Sequence, residues 1–394
     1  MTLDLDRLRA DTPGCARVLH LDNAGAALPP QPVLDAMLDH LRLEAEVGGY
    51  AAAAEAEPRL EAAYVSIARL IGAEPDEIAM MENATRAWDM VFYGLPFRPG
   101  DRILTAKAEY ASNTISYLQV AQRTGAVVEV VPDDEAGQLD VAALEQAVTA
   151  ADRGPVRLIA VSHVPTNGGL VNPAAAIGKI ARAHNIPYLL DACQAVGQMP
   201  VDVEAIGCDM LSATARKFLR GPRAVGFLYV RRSMLERIDP PFLDLYAAEM
   251  VSPDRYVVRP DARRFENFER NFVGIVGMGA AVDYALALGL DAIRDRARVL
   301  ADRLRGGLSA LPGVTVRDKG AERSAIVSFT KADEPAEILH KRLRAAGINT
   351  SVTRRRSTMF DMTDRGLDAM LRASPHYYNS EDEIDRFVAA VAAG

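Results

Sequence analysis

Cysteine is scarce in this sequence. Among 394 residues only Cys15, Cys193 and Cys208 occur. They are odd in number, far apart and never spaced as a metal-binding pair, which excludes a disulfide framework and a cysteine metal site. The six histidines form no pair at helical spacing, so no protein-bound metal is expected. Positive charge is in deficit: a formal net charge of −8 argues against nucleic acid or a membrane surface as partner. Met1-Thr2-Leu3-Asp4-Leu5-Asp6-Arg7 holds no apolar signal core. The longest apolar segment, Phe272 to Leu290, carries Asp283 and several glycines, and reads as a buried helix rather than a membrane span. A reducing cytoplasm is the expected location. No internal repeat is visible, and the one low-complexity stretch is the alanine run 51–54.

The length exceeds what one core usually supports, so two units are expected. Hydrophobic residues at 49% and charged residues at 25% are ordinary for a folded protein. From Asp101 onward short apolar runs alternate with amphipathic helices. Runs at 102–105, 127–131, 156–162 and 187–190 read as strands, and helices are predicted over about 113–125, 141–149 and 174–184. Near-continuous apolar strands separated by helices predict a mostly parallel α/β sheet covered on both faces. Earlier, helices are predicted from about Val33 to Ala45 and from about Pro58 to Ile71. Residues 240–263, rich in Pro, Asp and Arg, read as a linking segment. An α+β C-terminal lobe follows, ending in a helix from about Ser380 with Glu383 as its capping partner.

One stretch stands out against the acidic background. Ser212-Ala213-Thr214-Ala215-Arg216-Lys217-Phe218-Leu219-Arg220 sets one lysine among Arg216, Arg220 and Arg223. Two readings are open for it: a solvated basic loop, or an amine whose pKa is depressed by neighbouring cations, beside an anion site. Ligands of parallel sheets sit at the carboxyl ends of the strands. Tyr110, Thr166, Asn167, Asp191, Gln194 and Lys217 all follow predicted strands. Asp191 ends an apolar strand, where an isolated charge is costly. It either caps the next helix or pairs with a cation such as a protonated ring nitrogen. The helix opening at Asn83-Ala84-Thr85 offers free amides to an anion, or is simply capped by Asn83. Leu21-Asp22-Asn23-Ala24-Gly25 is either a packed turn or a loop at a site mouth.

From Leu21-Asp22-Asn23-Ala24 to Tyr378-Asn379-Ser380, these motifs in this order resemble the class V aminotransferase group of fold-type I pyridoxal-phosphate enzymes. That group includes cysteine desulfurases, cysteine C–S lyases and isopenicillin N epimerase-like proteins. The resemblance implies an N-terminal arm (1–20), a large cofactor-binding domain (21–255) and a small α+β domain (256–394), usually as a homodimer. It implies pyridoxal 5'-phosphate as cofactor and Lys217 as its Schiff-base lysine. Asp191 would pair with the pyridine nitrogen, Gln194 would reach the ring hydroxyl, and Tyr110 would stack where many relatives carry histidine. Ala84, Thr85, Thr214 and Arg216 match phosphate-side positions, and Thr166 lies near the cofactor oxygen. Arg372 matches the arginine that clamps a substrate α-carboxylate, with Asn23 beside the substrate.

Three departures bear on the reaction. No cysteine lies between Thr350 and Arg372, where desulfurases carry their sulfur acceptor; Arg354-Arg355-Arg356 stands there instead. After Arg264-Phe265-Glu266-Asn267 the expected Gly-Thr is Phe268-Glu269. Tyr110 replaces a histidine. The expectation is a β-eliminating C–S lyase acting on a cysteine derivative without a persulfide-forming cysteine. The alternatives are an aminotransferase or an amino-acid epimerase. A cofactor-dependent regulator is disfavoured because no DNA-binding module is appended. A dinucleotide site is disfavoured because Gly274, Gly277 and Gly279 have the wrong spacing and lie inside a helix.

Overall fold

In the computed structural model, which describes residues 3–393, the alternating segment folds into one seven-stranded sheet. From one edge its strands are Ile78–Met81, Gly226–Val230, Met210–Thr214, Tyr188–Asp191, Val156–Ser162, Arg102–Thr105 and Val127–Val130. Gly226–Val230 is antiparallel to both neighbours, and the other pairs are parallel. Parallel pairing needs a crossover between strands, and those crossovers bury both faces. One face packs on Trp88, Phe92, Tyr117 and Phe265. The other packs on Ile67, Met278 and Phe218. Register sets Ser162, Asp191 and Ser212 side by side at the carboxyl edge.

A second, antiparallel sheet has the order Val314–Val316, Val327–Lys331, Ala369–Ala373, Ser351–Arg354. Arg372 lies on its third strand, opposite Ser328 and Ser351. The N-terminal arm is tied to this unit, because Leu19–His20 pairs in parallel with Ile348–Asn349. Met1, Thr2 and Gly394 lie outside the described residues. Helix Phe272–Leu288 packs on helices Gln31–Val47 and Gly49–Ile71 of the large unit. Its glycines permit that approach: a Cβ at Gly277 would collide with Met37, and one at Gly279 would press on Ala63. This helix, numbered within the expected small domain (256–394), thus packs on the large one. No single helix among the described residues is long and apolar enough to cross a membrane.

Two local expectations change. The alanine run 51–54 is helical, so the helix read as starting near Pro58 starts at Gly49. Alanine's high helix propensity carries the chain up to the proline. The segment read as a linker holds a hairpin, Ala248–Ser252 with Arg255–Val258. Its apolar residues, Met250-Val251 and Tyr256-Val257, are exposed and adjacent, so it lacks the alternation that marks a half-buried strand. The box of Ser380 and Glu383 does cap the last helix, Glu381–Ala392.

Arg220 is the least conventional core residue, at 1% exposure. Its backbone is left-handed, with φ 63°. Its guanidinium donates to Leu28 O at 2.8 Å, Tyr377 Oη at 2.7 Å and Thr12 Oγ1 at 2.7 Å. It also lies 4.3 Å from the Tyr378 ring centroid. These contacts bind the arm, the Lys217 loop and the C-terminal segment together. Arg220→Met is expected to lower the unfolding free energy by about 3 kcal/mol, because three acceptors lose a charged donor worth roughly 1–3 kcal/mol each. Urea midpoints test this. A loss below about 1 kcal/mol would show that the clamp is not structural.

Candidate active site

The carboxyl ends of the central strands open onto a cavity of about 430 Å³. Lys217, Asp191 and Gln194 line it, with Tyr110 and Thr166. Ala84, Thr85, Thr214 and Arg216 line it as well. Residues separated by more than 130 positions thus share one wall because each follows its own strand.

The loop carrying Lys217 is held from several sides. Arg220 N donates to Lys217 O at 2.8 Å, and Ala27 N donates to Arg216 O at 2.9 Å. His376 Nε2 lies 2.7 Å from Phe218 O. Gly197, at φ 90°, backs directly against Leu219, where any Cβ would strike the backbone. Burial lowers the Lys217 pKa, and Arg216 and Arg372 push it the same way, against Cys193 and Asp191. The direction matches the sequence reading, but the cause is chiefly desolvation. Arg220 is turned into its tyrosine cluster instead.

Asp191 ends its strand at 8% exposure. Cys193 N donates to its Oδ1 at 2.9 Å and Asn113 Nδ2 to its Oδ2 at 3.1 Å. No cation pairs with it among the described residues. Gln194 Nε2 donates to Ala24 O at 3.0 Å and Thr166 Oγ1 at 3.2 Å, while its buried Oε1 has no partner. Helix Ala84–Phe92 begins at the cavity, with Asn83 accepting from Arg86 N at 3.0 Å. The cap satisfies the third amide, which leaves the first two without intrahelical partners. Asn83 therefore caps while the helix still presents its positive end to the cavity. An amine, a buried carboxylate awaiting a cation, an unpartnered amide oxygen and an anion-binding helix end fit pyridoxal phosphate.

Arg372 lies just behind Thr166. Its guanidinium donates to Thr166 O and Oγ1, both at 2.8 Å, and to Ser351 Oγ at 3.0 Å. It also pairs with Asp22 Oδ1 at 3.2 Å. Arg216 donates to Gly25 O, which ties it to the same N-terminal loop. Asn23 lies elsewhere than expected. Fully buried, it donates to Ser374 O at 2.7 Å and accepts from Tyr378 Oη at 2.6 Å. Like Arg372 it does not line the cavity, but both ends of its amide are engaged, and on that ground we withdraw it as a substrate contact. Its neighbour Asp22 is the residue that reaches Arg372. Asn167, also read as a strand-end candidate, donates instead to the buried Asp361 at 2.7 Å.

Phe268 and Glu269 are exposed and lie outside this cavity. The neighbouring Glu266 is a structural tie, accepting from Met80 N at 2.9 Å and from Arg270 at 3.0 Å. Sequence reasoning missed four lining or supporting residues: Glu109, Asn113, Ser162 and Cys193. Glu109 and Cys193 lie in connectors, Asn113 in a helix and Ser162 at a strand end, where a polar residue looks solvated until topology folds it under the site.

Comparison with known proteins agrees with the architecture. The family description "Aminotransferase class-V" matches residues 19–387. A probable cysteine desulfurase of Xylella fastidiosa is 32% identical, over 98% of this chain and 95% of that protein. One of Methanothermobacter thermautotrophicus is 30% identical, over 96% and 94%. The apo cysteine desulfurase of Thermococcus onnurineus superposes with a TM-score of 0.92 at 27% identity, covering 100% of this chain and 99% of that one. The chain belongs to the class-V aminotransferase family of pyridoxal-phosphate-dependent enzymes.

Proposed function

We propose that this enzyme is a β-eliminating C–S lyase acting on a cysteine derivative, with Lys217 as cofactor anchor and as base at Cα. One observation carries the reading: Lys217 and Asp191 line one cavity, while no cysteine lies between Thr350 and Arg372 to accept sulfur. The relatives named cysteine desulfurase support a sulfur-containing amino acid as substrate. Cys193 lines the cavity, but burial raises its thiol pKa. It is held protonated and makes a poor sulfur acceptor.

Ala84, Thr85, Thr214 and Arg216 would hold the phosphate. Asp191 would hold the ring nitrogen protonated, Gln194 would meet the ring hydroxyl, and Tyr110 would cover the ring. When bound, pyridoxal phosphate supplies an electron sink for the pair left at Cα. The lowered pKa of Lys217 favours its neutral, basic form, which takes the Cα proton. The sulfur at Cβ then leaves with the bond's electron pair and takes up a proton, and the aminoacrylate that remains takes up water to give pyruvate and ammonia. Arg372 would receive the substrate carboxylate, in competition with Asp22. A homodimer completes the reading, supported by exposed Phe242, Leu245 and Met250, and a cytoplasmic location is proposed with it.

A panel of cysteine derivatives tests the reaction. Equimolar pyruvate and ammonia are expected, without protein-bound persulfide and with activity retained in Cys193→Ser. Keto acid with stoichiometric pyridoxamine phosphate would instead mark a transaminase, and Cα proton exchange without net product an epimerase.

A further inference from the structure

We propose that Glu109 is a positioning residue that fixes the orientation of Asp191 through Asn113 and tunes the field at the ring site. The inference rests on the cofactor reading above and extends it to a residue beneath the site. Glu109 is 1% exposed and lies where three strand ends meet. Ser162 donates to it twice, from N at 3.0 Å and from Oγ at 2.5 Å. Tyr110 N donates at 2.8 Å and Thr105 Oγ1 at 3.3 Å. Asn113 Nδ2 donates to Glu109 Oε1 at 2.9 Å and to Asp191 Oδ2 at 3.1 Å. One amide nitrogen, with its two hydrogens, therefore bridges two buried carboxylates.

No lysine or arginine pairs with Glu109 among the described residues. Burial, and next the charge of Asp191, raise its pKa to about 7, against the pull of its donors. The titratable groups facing it are Asp191, Tyr117 from the helix above and Tyr188 from the neighbouring strand. Both phenols are held neutral by burial. Glu109 is thus the group whose charge can change near neutrality beneath Asp191. When ionised it adds a second negative charge under the ring site and favours a cation there. When protonated it leaves Asp191 to hold that cation alone. The bridge also fixes Asp191 Oδ2 in place, so that the carboxylate faces the cavity in one rotamer.

Glu109→Gln, Glu109→Asp and Asn113→Ala test this in the holoenzyme. Glu109→Gln is expected to lower kcat about tenfold with KM changed less than about twofold. It should also shift the pH midpoint of the bound cofactor's absorption down by about one unit, the direction expected when a negative charge near a cation is lost. Glu109→Asp should restore part of that shift. Should Glu109→Gln fail to fold, Asn113→Ala must move the midpoint on its own. An unchanged midpoint, with only a loss of stability, would overturn the proposal. The apoprotein gives a readout free of the cofactor: pH-difference infrared spectra should show one carboxyl titrating near neutrality that vanishes in Glu109→Gln. If that band is present and the protein does not take up pyridoxal phosphate, the cofactor reading fails and the carboxyl pair stands. If the cofactor binds and the band is missing, the pair fails and the cofactor reading stands.

Discussion

Lys217→Ala is expected to reduce turnover by at least about 10³-fold, near the upper end of what a positioned general base contributes. The substitution removes both the anchoring amine and the base at Cα, so no second residue inherits the task. Arg216, the nearest cation in sequence, is engaged with Gly25. Lys217 itself is only half-buried and faces the cavity, so the fold should survive. Thermal midpoints within a few degrees of wild type would show this. Small primary amines fit the space left by the side chain and should restore part of the rate. Undiminished turnover by the alanine variant would remove Lys217 from the mechanism.

Asp191→Asn is expected to cost about as much, for a different reason. At about 4 Å and an effective dielectric near 20, a carboxylate and a cation interact by about 4 kcal/mol, or roughly three pKa units. Without that charge the ring nitrogen would lose its proton at neutral pH, and kcat should fall by about 10³-fold. The asparagine keeps one acceptor for Cys193 N, but its amide turns a donor towards the donor of Asn113. The loss therefore combines charge and orientation. Asp191→Glu separates them: it keeps the charge, displaces it by one methylene, and should recover part of the activity. Steady-state kinetics at several pH values distinguish the two variants. Equal, small losses in both would mean that Asp191 merely caps the chain.

Much of this site was legible because it depends on strand ends, and strand ends can be read from apolar runs. Asp191, Gln194, Thr166 and Lys217 each follow such a run, and a parallel sheet leaves them one edge to share. Arg372 was legible only through the family motif, since nothing local marks a strand arginine as a ligand. Its pairing with Asp22 required the tertiary structure. Asn23 failed for a related reason: asparagine in a turn looks available, but Ser374 and Tyr378 use both ends of its amide. Glu109 was hidden because its surroundings include Ser162 and Asp191, which end strands distant from it in sequence. The hairpin at 248–258 was missed because exposed strands lack the apolar alternation that betrays buried ones. Arg220 looked like one more cation beside the lysine. Its left-handed backbone turns it instead into an aromatic clamp.

The central claim is that Lys217 carries the cofactor. The chain has six lysines, Lys107, Lys179, Lys217, Lys319, Lys331 and Lys341, so the site of attachment can be mapped without ambiguity. Protein loaded with pyridoxal phosphate, reduced with borohydride, digested and sequenced by mass spectrometry should carry the phosphopyridoxyl group on Lys217 alone, at one per chain. Stable modification of any other lysine, or none under conditions that colour the protein yellow, would contradict the account.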